Sequence, residues 1–196
     1  MVEAEEKIRE KIKSYGIHGI HFLDSGNYHY VTEIMTSQIQ KEFQFVVFDH
    51  HTDMQKPMIE HMTSCGDWAG KVLATNQWLQ QLILIGPQES DIEQIYREND
   101  GLMNRKEISE KLLTFSAEEI RTGEDKNKIS KIKKNLPVYI SIDKDILDKQ
   151  YTEANWSQGN MSLPMLERLL SHFLENGNIK NSVNYPNCDL GICESA

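Results

Sequence analysis

The sequence predicts an α/β protein in three layers, α/β/α, built on a mostly parallel sheet. Three observations carry that expectation. Short apolar runs alternate along the chain with amphipathic segments of helical period, the order of a sheet whose strands are joined by crossover helices. The clearest run, 43–48 (FQFVVF), is rich in aromatic and β-branched residues, as in a strand covered on both faces. The chain is 196 residues long with 39% hydrophobic and 26% charged residues and five prolines, a globular composition of a length suited to one domain over 1–196 with a single buried core.

Taken in order, residues 2–14 place Ile8 and Ile12 on one face and stop at Gly16, a helix with a glycine end. Residues 19–23 (GIHFL) read as a short buried strand. Val31, Ile34, Met35 and Ile39 recur at helical spacing, so 30–41 is a helix. After the strand at 43–48 and a loop, 68–79 is helical. Residues 82–85 (LILI) form a strand closed by Gly86-Pro87, and 90–98 a helix. The charged stretch 105–134 carries two short helical patterns around an edge strand at 112–115, with Ile129 and Ile132 on one face of a solvated amphipathic helix. Residues 137–142 (PVYISI) are another buried strand. Ser162 caps a helix with a core face of Leu166, Leu169, Leu170, Phe173 and Leu174, and Gly177 follows it. The last apolar stretch is 190–193.

Charge and cysteine usage narrow the function classes. Lys plus Arg number 21 and Asp plus Glu 30, a net charge of −9, which argues against nucleic acid or an anionic membrane as the main partner. No apolar run approaches the roughly 18–20 residues of a spanning helix. The charged N-terminus shows no secretory signal, and Cys65, Cys188 and Cys193 are odd in number and scattered, so reduced thiols in the cytoplasm are expected. No Walker-type loop, nucleophile elbow or dinucleotide fingerprint occurs. A small-molecule substrate is the expected partner, with self-association left open.

In a parallel sheet, ligand sites lie at the carboxyl ends of the strands, and there the chemistry-bearing residues gather. The 43–48 strand runs into Asp49-His50-His51-Thr52-Asp53. Alternation along extended chain puts Asp49, His51 and Asp53 on one face and His50 on the other. The 137–142 strand runs into Asp143-Lys144-Asp145, with both aspartates on one face. The 19–23 strand leads to His29, a further imidazole. Clustered carboxylates repel unless a cation lies between them. Four carboxylates exceed what one divalent ion needs, whereas two ions sharing carboxylates would use them. Oxygen-rich ligation with a little imidazole favours Mn²⁺ over Zn²⁺, and a bridged pair would acidify a shared water into hydroxide at neutral pH.

These segments resemble the metal signatures of the ureohydrolase family (arginase, agmatinase and formiminoglutamase), which carries GGDH, DAHxD and SxDxD segments in that order. Here they read GNYHY (26–30), DHHTD (49–53) and SIDKD (141–145), the first matching through Gly26 and His29. The resemblance spans residues 19 to 194. It implies an arginase-like three-layer fold with a binuclear manganese site. His29, Asp49, Asp53 and Asp143 would hold one ion and His51, Asp49, Asp143 and Asp145 the other, with Asp49 and Asp143 bridging. It also implies hydrolysis of a C–N bond in a guanidino or related amidine or amide substrate by a metal-bridging hydroxide. Glu194 matches a glutamate that pairs with the substrate cation, a bidentate role suited to a carboxylate; an ordinary solvated residue fits the position as well.

The chain departs from the family in three places. Cys65, before Gly66, stands where the family has a proton-shuttle histidine. A thiol can carry a proton without reproducing an imidazole shuttle, and Cys65 also suits a small packing role; His61 is the alternative shuttle, although an ordinary exposed loop histidine fits that position better. After SIDKD the family's proline- and glycine-rich loop is replaced by Trp156-Ser157-Gln158-Gly159, where Trp156 and Gln158 could line a substrate pocket or Trp156 could cover the sheet end. Only one helix precedes the first motif, so the domain is expected to be short at its N-terminus. His18, His21 and His172 read as structural residues. Two other functions compete with the ureohydrolase reading: a metal-binding relative without that activity, and a single-metal, deacetylase-like amide hydrolase.

Overall fold

A computed structural model describes residues 2–59, 62–97, 105–124, 126–176 and 188–193. The elements follow one another as α1 (Val2–Tyr15), β1 (Ile20–Leu23), α2 (Val31–Thr36), β2 (Phe43–Phe48), α3 (Trp68–Thr75), β3 (Leu79–Ile85), α4 (Glu89–Arg97), α5 (Arg105–Lys111), β4 (Leu112–Phe115), α6 (Ala117–Thr122), α7 (Lys126–Ile129), β5 (Val138–Asp143), α8 (Leu163–Asn176) and β6 (Cys188–Cys193). The described strands form one six-stranded sheet in the order β1-β6-β5-β2-β3-β4. Every pairing in it is parallel.

Side-chain alternation along the central strands builds two cores, one on each face of the sheet. Phe45, Val47, Leu82 and Leu84 pack on one side with Met35, Trp68, Val72, Leu73 and Ile95. Val46, Phe48, Ile83 and Ile140 pack on the other with Leu166 and Phe173. Helices α2, α3 and α4 therefore cover one face and α8 the other, the three-layer arrangement expected of an arginase-like α/β fold.

Several elements differ from the sequence-based expectation, each for a local reason. The helix expected over 30–41 is helical only to Thr36. The Thr36 and Ser37 hydroxyls bond back to the carbonyls of Thr32 (2.9 Å) and Ile34 (2.7 Å), and the chain leaves the helix there, although Ile39 still packs in the core. The helix expected over 68–79 ends at Thr75. Asn76 turns extended (ψ 105°), donates to the Thr36 carbonyl (3.1 Å) and accepts from the Trp78 amide (3.0 Å), so Leu79 already belongs to β3. The strand at β1 was expected to be buried and is instead exposed. It lies at the sheet edge beside β6, and Ile20 and Phe22 are 63% and 69% exposed. Leu174 and Ile129 also face outward. The segment after α7 does not continue as a helix. Its backbone is held by two glutamines buried in the sheet, Gln81 bonding the Lys131 carbonyl and the Lys133 amide and Gln44 the Lys133 carbonyl.

The topology decides where a site can form. Strands β2 and β5 are neighbours, but the chain leaves them toward opposite faces, into α3 on one side and α8 on the other. The two exits diverge and leave a crevice at the carboxyl ends of the pair, the switch point at which open α/β sheets bind ligands. Gly86 closes β3 beside this crevice with φ +112°. A Cβ there would lie 2.5 Å from Ile146 Cδ1 and 2.7 Å from the Asp49 carbonyl. We expect Gly86→Ala to destabilise the protein by more than about 1 kcal/mol in urea unfolding, since both the backbone conformation and the space exclude a side chain. On the exposed edge strand, Phe22→Ser should change stability by no more than about 0.5 kcal/mol.

Candidate metal centre

The residues singled out at the strand ends come together, but turns bring them together more than strand alternation does. Asp49 leaves β2 and accepts the His51 amide on Oδ1 (2.7 Å). Asp143 ends β5 and accepts the Asp145 amide on Oδ1 (3.0 Å). Asp145 in turn accepts the His50 amide on Oδ1 (3.1 Å), tying the two strand ends to each other. Short side-chain-to-backbone turns of this kind suit aspartate, whose carboxylate reaches an amide two residues on. Asp53 lies beyond the extended chain, at φ 49°. His29 arrives from the carboxyl end of β1 through a single helical turn over Gly26–Tyr28, which Ser25 caps.

Oδ1 of each of these three aspartates is thus occupied by an amide, and the Oδ2 oxygens turn to the imidazoles. His29 Nδ1 lies 3.4 Å from Asp49 Oδ2, 3.4 Å from Asp53 Oδ2 and 3.5 Å from Asp143 Oδ2. His51 Nδ1 lies 2.9 Å from Asp145 Oδ2 and 3.5 Å from Asp49 Oδ1. The far nitrogen of each ring meets a serine hydroxyl, His29 Nε2 at Ser141 Oγ (2.9 Å) and His51 Nε2 at Ser157 Oγ (2.7 Å), so both rings present Nδ1 to the carboxylates. Two sets result in which the nearest ligand atoms all lie within 4.8 Å of one another: His29, Asp49 and Asp143, and Asp49, His51 and Asp145. Asp49 is common to both, Asp143 falls in the first, and Asp53 borders the first through His29.

Electrostatics favour a cation here. Burial, together with Asp53 and Asp145 nearby, holds the Asp49 carboxyl well above the usual carboxylate range. Burial and Asp145 push Asp143 up to about 6. Hydrogen bonds to Asp145 and Asp49 push His51 up to about 11, so in this arrangement a proton on the imidazole supplies the positive charge the carboxylates need. Four aspartates and two imidazoles around one gap are a donor set that divalent ions fit, because a cation relieves both the burial of the carboxylates and their mutual repulsion.

The remaining candidates are placed less uniformly. Cys65 is half-buried, and its thiol is pushed up first by burial and then by Asp53, so it stays protonated at neutral pH. His61 and Glu194 lie outside the described residues, although β6 ends at Cys193 in register with Asp143. Trp156 is about half exposed; a Cβ built on Gly26 would lie 3.7 Å from its ring and 3.5 Å from Asp143 Oδ2, which puts the indole at the edge of the first set. Gln158 turns its side chain into its own loop. Its amide bonds the Leu147 and Thr152 carbonyls (3.1 and 2.9 Å) and accepts from the Ala154 amide (3.3 Å), stapling the loop that carries Ser157. His50 is buried, its ring edge-on to His51 at 5.1 Å and close enough to Asp145 to feel its charge. Sequence reasoning missed Ser141, Ser157 and Trp68. Ser141 was within reach of it, two residues before Asp143 on the same strand face. Ser157 and Trp68 come from distant loop and helix positions with no spacing signal.

Comparison with known proteins places the chain in a family. A family model for the arginase family matches residues 16–177, a span that contains every candidate ligand. An uncharacterized protein from Thermotoga maritima is 32% identical over 154 residues, 79% of this chain and 52% of that protein. This chain therefore spans about half the length of that relative. Formimidoylglutamase from Bacillus subtilis superposes with a TM-score of 0.66 at 16% identity, covering 100% of this chain and 59% of that one. A formiminoglutamase from Trypanosoma cruzi, solved with Mn²⁺, superposes with a TM-score of 0.66 at 14% identity, covering 100% of this chain and 63% of that one. At such identities the superpositions establish a common fold. Joined to the family match and to the cluster at the β2 and β5 ends, they lead to one conclusion: the chain belongs to the arginase family.

Proposed function

We propose that the chain is a ureohydrolase-like hydrolase with a binuclear manganese centre, acting on a C–N bond of a small guanidino, amidine or amide substrate. The single observation that carries this reading is the pair of three-residue sets joined at Asp49. His29, Asp49, Asp53 and Asp143 hold one ion in this reading, and Asp49, His51, Asp143 and Asp145 the other. Such a pair supplies Lewis acidity and an acidified water at neutral pH. Ser141 and Ser157 keep the Nδ1 atoms of His29 and His51 aimed at the carboxylates. Trp156 offers an aromatic face to a planar cation at the edge of the site. Glu194, next after the strand end at Cys193, pairs with the cationic end of the substrate. His61 is the proton carrier in this scheme, because the Cys65 thiol, raised by burial and carboxylates, is a poor one near neutral pH.

A second reading has a specific observation behind it. Cys65 holds the position where the family has its shuttle histidine, which favours a metal-binding relative without ureohydrolase turnover. The two readings separate on one assay. With Mn²⁺ loaded, release of urea or an amine from arginine, agmatine or formiminoglutamate supports the hydrolase, and metal uptake with no turnover on any of them supports the relative.

The metal centre itself is tested by uptake. We expect close to two Mn²⁺ per chain by elemental analysis; one per chain would favour the single-metal amide hydrolase. Because His51 carries a proton until about pH 11 without a cation, uptake at pH 7.5 should release at least one proton. Mn²⁺ titration calorimetry in two buffers of different ionisation enthalpy measures this, and identical apparent enthalpies would count against His51 as a ligand.

The carboxylates make a further prediction for the metal-free protein. Asp143 has a pKa of about 6 against a reference of 3.8, so the folded state binds the extra proton between those values. The penalty for ionising it is absent below about pH 4, grows as the pH rises and is complete above about 6. Asp143→Asn should therefore raise the melting temperature of the metal-free protein at pH 8 and leave it nearly unchanged at pH 4. The same variant should gain less stability than the natural chain when Mn²⁺ is added.

A further inference from the structure

Trp68 is the first residue of α3, and in the sequence it marks only a helix start. The folded chain puts it to a second use. Its side chain is fully buried (0% exposed), and its indole Nε1 donates a 2.6 Å hydrogen bond to Asp53 Oδ2. The face of the same ring lies against the His29 imidazole, with centroids 4.5 Å apart and planes tilted by 43°. On its other flank it packs on Phe45 of β2 at 5.7 Å. One side chain thus touches two of the candidate ligands and is anchored in the core beneath them.

Asp53 is held by α3 from its backbone as well. Its carbonyl accepts the Ala69 and Gly70 amides at 3.0 and 3.2 Å, in the first turn of the helix. These bonds secure a non-glycine residue at φ 49°, a conformation that needs support from its surroundings. A buried indole N–H requires an acceptor, and here the acceptor is a carboxylate, which makes the bond charge-assisted and short. The bond fixes the Asp53 rotamer and satisfies one of its oxygens. Oδ2, the oxygen that accepts the indole, is also the one that faces His29 Nδ1, at 3.4 Å.

We propose that Trp68 is a positioning residue of the His29–Asp53 side of the metal centre, orienting Asp53 through its N–H and His29 through its ring. This inference rests on the metal-centre reading. It differs from a purely structural role in that the N–H, and not only the ring, matters. Phenylalanine keeps the ring and the packing and removes the donor, leaving the carboxylate without its partner.

The test compares Trp68→Phe with the natural chain by Mn²⁺ titration calorimetry, with thermal unfolding as the check on folding. Loss of an outer partner of a ligand weakens metal affinity by about 10–100-fold, and that loss is expected for the folded variant. A second measurement does not depend on the variant's folding. In the natural chain, where the Trp68 indole signal is the one retained in both W78F and W156F, the ¹⁵N-attached indole proton should resonate downfield, exchange slowly with solvent, and stay so when Cd²⁺ is added. A folded Trp68→Phe chain that binds Mn²⁺ as tightly as the natural one overturns the proposal. So does a Trp68 indole signal at the position of a solvated tryptophan. Absence of Mn²⁺ uptake by the natural chain is a separate result, which removes the metal-centre reading and this inference with it.

Discussion

The architecture of the site turns on one constraint: four aspartates lie around a gap at the ends of two adjacent buried strands. Carboxylates in that position lose water and repel one another, and either effect alone would disfavour the charged form. The surrounding structure answers with backbone amides for the inner oxygens, two imidazoles for the outer ones and a protonated His51 as provisional cation. Among the described residues, this is where buried carboxylates and imidazoles gather closely enough to be candidate metal ligands.

The sheet supplies the rigidity this arrangement requires. Asp49 and Asp143 follow strands whose side chains fill both cores, so small shifts at the site are resisted by packing on two faces. The loop from Leu147 to Gly159 is equally constrained despite lacking regular structure. Gln158 staples it, the Gly159 amide bonds the Asp145 carbonyl at 2.7 Å, and a Cβ at Gly159 would lie 2.4 Å from the Ile146 carbonyl oxygen. That loop delivers Ser157 to His51 and Trp156 to the edge of the site. Where the chain departs from the motifs of its family, this loop supports the candidate ligand His51 through Ser157.

Much of the fold was legible because periodicity and burial agree in the central strands. β2 was read with both its ends, and β5 to within one residue. The misreadings fall where a polar side chain redirects the backbone, as Asn76 does after α3 and Thr36 and Ser37 do after α2. β1 was misread because its residues are apolar while its place is the sheet edge, and strand composition does not say which strand lies outermost. The six candidate ligands are legible from their positions at strand ends, but strand alternation alone does not account for their convergence. Alternation along extended chain does not bring Asp53 or Asp145 inward; a left-handed backbone at Asp53 and aspartate turns at 49–51 and 143–145 do.

The sequence by itself determined the class of fold, the candidate ligand types and the three strand ends from which they come, because these depend on local pattern and on residue chemistry. Tertiary structure alone decided which ligand faces which. The adjacency of β2 and β5, the divergence of their crossovers, and the supports at Trp68, Ser141 and Ser157 join residues from 15 to 112 positions apart. No local signal encodes such contacts. They follow from the order of strands in the sheet, which is set by the packing of the whole chain.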